Sequence, residues 1–436
     1  MRQAFLTVDL GFGDAGKGTI VDYLTRAYAA HTIVRFNGGA QAGHRVVLAD
    51  GREHVFAQFG SGTFAGAATH LSQFMLVDPP AMLAEAAHLE SLGILDPFAQ
   101  TTIDERALII TPYARAVNRL RELARGADRH GSCGMGIGET MADALALGDR
   151  ALRAGDLRDP QRLQAKLTEL RLWNRRKLLD LALPDTPAVV DELAPLLDDD
   201  WQNWIRDKYA ELTARVRIVP AGALGEILAQ PGHVIFEAAQ GVLLDEWRGF
   251  HPYTTWSTTT LANAEQLLAE AGYDGAVRRI GITRAYSTRH GAGPLPSEDP
   301  ALTAALPDAR NGMHAWQQGF RVGWLDLVLL RYARRVVGAL DELAVTCVDR
   351  LADVPELRVC GAYRSAAGGL VEWLEHNHDP HDLGAQEQIT RMLLEVQPVL
   401  ENLADRDALL GRIAAELDLP VGIVSYGPTA ADKRQV

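Results

Sequence analysis

Residues 4–19 read A-F-L-T-V-D-L-G-F-G-D-A-G-K-G-T, an apolar run followed by a glycine-rich loop that ends in a lysine. The spacing from Gly11 to Lys17 is G-x-x-x-x-G-K, which is typical of a loop that wraps phosphate between a strand and a helix. Loop glycines let backbone N–H groups turn toward an anion, and the dipole of the following helix adds to the attraction. The stretch therefore predicts a phosphate site after the first strand of a parallel α/β sheet.

One residue of this loop, Asp14, is unusual, because a carboxylate that faces bound phosphates is repulsive unless a metal ion or a proton transfer compensates it. The residue after the lysine is Gly18, where ordinary phosphate loops carry Ser or Thr for Mg²⁺. Mg²⁺ prefers one or two carboxylates together with phosphate oxygens and water. We therefore expect Asp14 to bind Mg²⁺ or to move a proton, and Gly13, Gly16, Lys17 and Gly18 to bind phosphate.

The hydrophobic pattern of the rest of the chain also predicts a mixture of helices and strands. Helices are predicted at Lys17–Ala30, Pro80–Leu92 and Pro112–Leu123, and strands at Phe5–Leu10, Thr32–Phe36, His233–Glu237, Arg278–Ala285, Leu343–Val348 and Val421–Ser425. The pattern predicts an α/β protein with a large, mostly parallel central sheet and flanking helices. We expect a single domain over residues 1–436, with a mainly helical insertion at about 80–215.

The charge, cysteine content and hydrophobicity of the chain argue against several classes of protein. The net charge of −13 argues against general affinity for nucleic acid, which needs clustered Lys and Arg. The three cysteines form no C-x-x-C pair, and an odd number gives no disulfide framework. No stretch of 18 apolar residues and no secretory leader is visible, so we expect a cytoplasmic protein without a membrane span.

A second glycine cluster, Asn37-Gly38-Gly39-Ala40-Gln41-Ala42-Gly43-His44, follows the second predicted strand. Alone, His44 fits a structural histidine at a turn as well as a catalytic one. The carboxyl ends of parallel strands lie at one edge of a sheet, so His44 and Asp14 are candidates for an acid–base pair.

Two further loops carry candidate substrate-binding residues. Gly131 to Gly138 is a third glycine loop containing Ser132, and it also fits a surface turn. Phe236 to Gly241 follows a predicted strand, and Gln240 within it could bind a base edge or only satisfy its own loop.

Hydroxyl and arginine side chains mark two later segments. His251 to Thr260 is dense in hydroxyls, including Thr255, which suits an anion but also suits helix capping. Arg289 lies in the turn 284–294 and could pair with substrate or with a structural carboxylate. The acidic run 198–200 is interpreted as a solvated helix start and not as a metal site.

Taken in order, these segments resemble the adenylosuccinate synthetase family. That family has G-D-E-G-K-G-K, G-G-H-N-A-G-H, G-R-G-I-G-P, F-E-G-A-Q-G-T-L-L-D, Y-P-Y-V-T-S-S-N-T-T, Y-T-T-R-V-G-A-G-P, T-G-W-L-D, T-K-L-D and S-T-G-P. The matching stretches here begin at Gly13, Gly38, Gly134, Phe236, His251, Tyr286, Val322, Thr346 and Ser425, so the resemblance spans the whole chain.

The resemblance implies a GTP-dependent ligase that phosphorylates the 6-oxygen of IMP, after which the amine of L-aspartate displaces phosphate. It implies that Asp14 removes the N1 proton and binds Mg²⁺, that the Gly43 carbonyl also contacts the metal, and that His44 acts as acid. It further implies that Lys17 binds phosphate.

On the base side, the resemblance implies that Asp349 accepts from guanine and that Ser425 and Gly427 close over the ring. The lysine of T-K-L-D is Cys347 here, which leaves ATP as the alternative to GTP. A homodimer acting on small-molecule nucleotides, without nucleic acid or membrane, is also implied.

The departures from the family lie on the substrate side. The aspartate loop T-T-x-G-R-x-R-R is replaced over 315–321, and only Arg321 keeps its place. Gln41 stands for a phosphate-contacting asparagine, Ser132 for a threonine, and the arginine that crosses the dimer has no clear counterpart.

Three hypotheses follow from these departures. The first is an orthodox adenylosuccinate synthetase with altered loops. The second, which we favour, is a paralogue that uses a different amine or acceptor in specialised metabolism. The third is a nucleotide-binding regulator without catalysis, which retention of Asp14, Lys17 and His44 disfavours.

Overall fold

The computed structural model describes residues 2–126, 131–308, 316, 319–375 and 379–436. The described helices are α1 (Lys17–Tyr28), α2 (Pro79–Ser91), α3 (Pro112–Arg125), α4 (Ile137–Leu147), α5 (Pro160–Arg176), α6 (Pro187–Leu197), α7 (Asp200–Arg215), α8 (Ala223–Ala229), α9 (Ala262–Glu270), α10 (Pro300–Ala305), α11 (Leu327–Val337), α12 (Leu383–Glu395) and α13 (Arg406–Leu417). The described strands are β1 (Arg2–Asp9), β2 (Thr32–Arg35), β3 (His44–Val47), β4 (Glu53–Phe56), β5 (Ala68–Leu71), β6 (Leu76–Val77), β7 (Thr101–Asp104), β8 (Leu108–Ile109), β9 (Arg217–Val219), β10 (Gly232–Glu237), β11 (Ala276–Arg284), β12 (Ser287–His290), β13 (Phe320–Gly323), β14 (Leu325–Asp326), β15 (Glu342–Thr346), β16 (Leu357–Arg364), β17 (Leu370–Val371), β18 (Gln397–Leu403), β19 (Val421–Ser425) and β20 (Lys433–Gln435).

A ten-stranded sheet organises the chain, in the order β20-β19-β15-β11-β1-β10-β2-β5-β7-β9. All neighbouring pairs run parallel except β19 and β20. The predicted α/β class with a large, mostly parallel sheet is confirmed. Because the strands share a direction, their carboxyl ends lie along one edge, where α/β proteins bind ligands.

Strand β1 lies near the middle of this sheet and is covered on both faces. Ala4, Leu6 and Val8 are fully buried in one apolar cluster, and Phe5 is buried in another. Burial on both faces explains why the segment is a continuous apolar run and not an alternating one. The predicted helices and strands are present, with their ends shifted by a few residues.

Residues 80–215 form a mostly helical region that also contributes β7 to the central sheet. Its helices pack around a separate core that includes Leu167, Leu196 and Tyr209. In the acidic run, a carboxylate oxygen of Asp198 accepts from the backbone N–H of Asp200 at 2.9 Å, at the start of α7. This contact fits the interpretation of the run as a helix start.

No helix in the described part of the chain is long and apolar enough to cross a bilayer.

Candidate functional site

A cleft of about 1020 Å³ lies at the carboxyl edge of the central sheet. The residues predicted from sequence to form the site line it together, with the exception of Arg321. They are Gly13, Asp14, Gly16, Lys17, Gly18, Gln41, Gly43, His44, Ser132, Gln240, Thr255, Arg289, Asp349, Ser425 and Gly427. Stretches that are hundreds of residues apart in sequence therefore converge on one space, although their individual roles stay predictions.

The glycine-rich loop is held by Asp9, a residue that the sequence analysis missed. Its carboxylate accepts from the backbone N–H groups of Gly11 and Ala15, each at 2.8 Å, and from Lys17 Nζ at 2.8 Å. Lys17 Nζ also donates to the Gly13 carbonyl at 2.5 Å. The lysine is thus fixed inside the loop, which keeps its charge at the start of α1, where a phosphate would bind.

Asp14 faces the cleft from this loop and meets a histidine from another element. Nε2 of His290, at the end of β12, lies 2.9 Å from Oδ2 of Asp14. Burial by itself raises the pKa of Asp14, but the contact with His290 and the charges of Arg284 and Lys17 lower it below its ordinary value. Asp14 is therefore ionised at neutral pH and able to accept a proton. The family pattern has valine at the position of His290.

His44, the second predicted catalytic residue, lines the same cleft and is oriented by a buried carboxylate. Its Nδ1 lies 2.6 Å from Oε1 of Glu237, which also accepts from the Ser61 hydroxyl. The other carboxylate oxygen, Oε2, accepts from the backbone N–H of Ser61 at 2.9 Å. Nε2 of His44 has no hydrogen-bond partner among the described residues, and the side chain lines the cleft.

Burial and neighbouring polar groups determine the protonation states of Glu237 and His44. Burial raises the pKa of Glu237, but His44, Arg35 and Ser61 outweigh it and lower the pKa to about 2. Burial lowers the pKa of His44 to about 4 despite the opposing effect of Glu237. Neutral His44 therefore carries its proton on Nδ1, where the ionised carboxylate accepts it. Nε2 is left free to meet an incoming group.

Sequence analysis missed Glu237 and Ser61. Glu237 lies in the quoted segment F-E-A-A-Q-G, but nothing in the segment says which side chain it contacts.

The predicted substrate-binding residues Gln41, Ser132, Gln240 and Thr255 also line the cleft. Both side-chain polar atoms of Gln41 and Oε1 of Gln240 are buried and lack a hydrogen-bond partner within the described ranges. The Ser132 hydroxyl accepts from the amide of Asn118 at 3.0 Å. These groups offer uncharged hydrogen bonding to a ligand.

The two predicted substrate arginines are both engaged in structural contacts. Arg289 is buried, donates to the carbonyls of Ala292 (3.0 Å) and Pro294 (2.9 Å), and lies 4.2 Å from the ring centre of Phe12. Arg321 lies 2.6 Å from the Glu298 carboxylate and donates to the Gly293 carbonyl at 2.7 Å.

The loop that carries the predicted base-binding residues Ser425 and Gly427 is held by a lysine that the sequence analysis also missed. Lys433 Nζ donates to the carbonyls of Gly427 (2.9 Å) and Thr429 (2.7 Å), while the Ser425 hydroxyl donates to the Gly427 carbonyl at 3.1 Å. Asp349 and Cys347 line the same part of the cleft.

The predicted metal ligands, the Asp14 carboxylate and the Gly43 carbonyl, both line the cleft. The described residues contain no group of three or more His, Cys, Asp or Glu placed to hold a metal ion. One carboxylate and one carbonyl fit the oxygen preference of Mg²⁺, which commonly takes its other ligands from substrate phosphates and water.

Fold and cleft together define a class: an α/β protein with a phosphate loop at the carboxyl edge of a parallel sheet and a carboxylate and an imidazole beside that loop. Comparisons with known proteins identify the family. The family model described as adenylosuccinate synthetase matches residues 7–433. The adenylosuccinate synthetase of Desulfovibrio desulfuricans is 32% identical over 430 residues, covering 96% of this chain and 93% of that protein. That of Chlorobium chlorochromatii is 33% identical over 442 residues, covering 98% and 95%.

The chain therefore belongs to the adenylosuccinate synthetase family, whose members are GTP-dependent ligases that form C–N bonds.

Solved structures show the same fold. The fully ligated adenylosuccinate synthetase of Plasmodium falciparum superposes with a TM-score of 0.79 at 20% identity, over 99% of each chain. The succinoaminodeoxyadenylate synthetase of cyanophage S-2L, bound to dGMP and to dATP as an energy donor, superposes with a TM-score of 0.58 at 18% identity, over 100% of this chain and 95% of that one.

Proposed function

We propose that this enzyme uses GTP to phosphorylate the lactam oxygen of an acceptor of the 6-oxopurine type and then joins that carbon to an amine other than L-aspartate. The observation that carries the proposal is a contrast between residues that line the cleft and one that does not. Asp14, Lys17 and His44 line the cleft together, whereas Arg321, which alone keeps its place from the family's aspartate loop, lies outside its lining and is held by Glu298 and a backbone carbonyl.

The first step activates a poor leaving group. Ionised Asp14 takes the proton from the ring nitrogen beside the carbonyl, and the lactam oxygen attacks the γ-phosphorus of GTP. The bond between that phosphorus and the β-phosphate oxygen breaks, and GDP leaves. Lys17, fixed at the start of α1, offsets the charge that builds on the transferring phosphoryl group.

In the second step, the amine nitrogen forms a bond to the activated carbon. The bond from that carbon to the phosphorylated oxygen breaks, phosphate leaves, and the nitrogen loses its extra proton. The open Nε2 face of His44 is placed to stabilise the leaving oxygen, since negative charge beside it favours its protonated form and Glu237 stabilises the imidazolium.

Mg²⁺ held by Asp14 and the Gly43 carbonyl would neutralise phosphate charge during both steps. Selection of GTP rests on Asp349, whose carboxylate can accept from both N–H groups of guanine. Cys347 replaces the neighbouring lysine of the family pattern, so ATP is the competing donor to test, and the cyanophage relative is described with dATP as its energy donor. Assembly as a homodimer stays a prediction.

The amine side is where the sequence departs from the family pattern. Binding of an α,β-dicarboxylate calls for cations that can form bidentate pairs. Arg321 would have to leave Glu298 to do so, and Phe320 occupies one of the family's arginine positions and packs against His290, with ring centres 5.0 Å apart. An orthodox adenylosuccinate synthetase is the second candidate, favoured by identities above 30% to enzymes of that name.

The test compares two nucleophiles. Purified enzyme with GTP and Mg²⁺ would be given IMP or inosine together with L-aspartate or hydroxylamine, which carries no carboxylate. We expect acceptor-dependent GDP formation and a hydroxylamino product detected by mass, with little aspartate adduct. Adenylosuccinate formed as fast as the hydroxylamine product would establish the orthodox function instead.

A catalytic control uses Asp14→Asn, which keeps the shape of the side chain but cannot take the proton. GDP formation should fall to the background level in this variant. An unchanged rate would mean that the observed hydrolysis does not use the proposed centre.

A further inference from the structure

The C-terminal strand β20 fixes a turn that forms part of the cleft wall. This turn, residues 425–429, contributes Ser425, Gly427 and Pro428 to the cleft lining and leads from β19 toward β20, which pair antiparallel. The Thr19 hydroxyl on α1 donates to the Pro428 carbonyl at 2.9 Å. The turn is therefore tied to the helix that begins at the glycine-rich loop, and both lie in one cleft.

Two carbonyl groups of this turn are already engaged by the chain itself. Lys433 Nζ donates to the carbonyls of Gly427 at 2.9 Å and Thr429 at 2.7 Å. The Gly427 carbonyl also accepts from the Ser425 hydroxyl at 3.1 Å. The Thr429 carbonyl also accepts from the backbone N–H of Asp432 at 3.1 Å. A carbonyl oxygen has two lone pairs, so these contacts use the accepting capacity of both oxygens.

This arrangement distinguishes the two common purine bases at their 6-position. Guanine carries an oxygen there, which needs a hydrogen-bond donor, whereas adenine carries an amino group, which needs an acceptor. The carbonyls of Gly427 and Thr429 can accept from an adenine amino group only by giving up a bond that the chain makes to them. A ligand whose polar group stays unpaired is rejected, because its desolvation is not compensated.

The charge of Lys433 acts in the same direction. The side chain is buried, and burial lowers its pKa to about 8 against the opposing effects of Asp432, Asp22, Cys347 and Asp349. Lys433 is therefore mainly a charged ammonium at pH 7. A positive charge bound to the turn attracts the lone pairs of a 6-oxygen and repels the hydrogens of a 6-amino group.

We propose that Lys433 is a positioning residue that makes the donor site selective for a 6-oxopurine nucleotide, GTP, over ATP. This inference rests on the proposed function, since it assumes that the donor's base binds where Asp349 and the turn 425–429 line the cleft. Lys433 keeps two carbonyls of the turn occupied and holds a positive charge on that side of the base. Asp349 then accepts from the N–H groups that guanine has and adenine lacks.

The test measures donor selectivity in Lys433→Met, which keeps the length of the side chain but removes its charge and its N–H groups. With Mg²⁺, IMP and hydroxylamine, kcat/KM would be determined for GTP and for ATP, and dissociation constants for GDP and ADP by calorimetry. We expect the GTP-to-ATP ratio to fall by at least about tenfold, the effect of one hydrogen bond to a charged group. The change should lie in KM for the donor, with kcat at saturating GTP and KM for IMP nearly unchanged, which a general loss of structure would not produce.

Two further variants separate positioning by Lys433 from a direct contact with the base. Lys433→Arg keeps the charge and should retain most of the wild-type ratio. Ser425→Ala removes the other side-chain donor to the Gly427 carbonyl and should raise kcat/KM for ATP several-fold. Loss of a direct contact between Ser425 and guanine would instead lower the value for GTP alone.

Lys166→Met is the matched control. Lys166, on α5, also donates from Nζ to two carbonyls of a turn, those of Asp149 at 2.9 Å and Ala151 at 2.8 Å. This variant should lose thermal stability, as Lys433→Met should, but keep the wild-type GTP-to-ATP ratio.

The outcomes separate this inference from the proposed function. An unchanged ratio in Lys433→Met, or an equal change in Lys166→Met, would overturn the inference. If Lys433→Met does not fold, Ser425→Ala decides, and no gain for ATP would overturn the inference equally. A wild type that prefers GDP to ADP and loses that preference in Lys433→Met, yet forms no product with any acceptor and amine, would support the inference and refute the proposed function.

Discussion

The most direct test of the proposed reaction centre is Glu237→Gln, because among the described residues this carboxylate is the hydrogen-bond partner of the His44 ring. In the wild type it accepts from His44 Nδ1 at 2.6 Å and from the Ser61 backbone N–H at 2.9 Å. A glutamine can satisfy Ser61 only by turning its carbonyl oxygen that way. Its NH₂ group then faces His44 and forces the ring proton onto Nε2.

The variant therefore keeps the shape of the cluster but removes the charge that stabilises a protonated His44. General acid–base groups typically contribute about 10²–10⁴ in rate, and loss of the orienting carboxylate in a carboxylate–histidine pair falls at the upper end. At 1.36 kcal/mol for each factor of ten, we expect the barrier to rise by about 3–5 kcal/mol. KM for GTP should change little, because Glu237 is not expected to touch the nucleotide.

The assay is single-turnover GDP formation with IMP and with inosine, accompanied by thermal unfolding. Glu85→Gln is the matched control, since Glu85 is also buried and accepts from the backbone N–H groups of Ala57 and Gln58, each at 2.9 Å, but, unlike Glu237, does not contact His44. Both variants should lose stability, and only Glu237→Gln should lose the chemical step. A rate for Glu237→Gln within about threefold of that for Glu85→Gln would refute the role assigned to the His44–Glu237 pair.

Three further outcomes are expected. Lys17→Met should weaken GTP binding and lower the rate by at least about 100-fold, measured by calorimetry and GDP formation, because it removes the cation at the start of α1 and leaves the Asp9 carboxylate buried without its charge partner. Burial lowers the pKa of His70 to about 4, so between pH 6.5 and 4 the unfolded chain takes up a proton that the folded chain does not. Stability should then fall on acidification by up to roughly 3 kcal/mol for this group, and urea titrations of His70→Asn at pH 7 and 4.5 should show a smaller loss. Glu298→Gln should release Arg321 and raise kcat/KM for L-aspartate about fivefold, and no gain would mean that Arg321 does not limit aspartate use.

Much of the fold was predictable because its signals are local. The continuous apolar run of β1 reports burial on both faces, and the glycine spacing of 11–18 reports the turn into α1. Such patterns depend on neighbours within a few residues, so they can be recognised in the sequence without knowledge of the tertiary structure. The α/β class and the phosphate loop could therefore be predicted directly from the residues, and the ordered motifs identified the family.

Contacts within the site were not predictable in the same way. His44 and Glu237 are 193 positions apart, and they meet only in the folded chain, where His44 begins β3, outside the central sheet, and Glu237 ends β10 within it. Arg321 occupies a position that binds substrate in the family pattern. The pairing of β12 with β13 nevertheless places it beside Glu298 and Gly293.

By itself, then, the sequence determined that this protein is an α/β enzyme of a known family, and it predicted a phosphate-binding loop with Asp14 and His44 beside it, since these signals lie in short local motifs. Only the tertiary structure decided which charges are free to meet a ligand. Glu139 pairs with Arg121, and Glu298 holds Arg321, because strand order and helix packing bring these side chains within ion-pair distance. Coulomb attraction depends on that separation in space and not on separation along the chain.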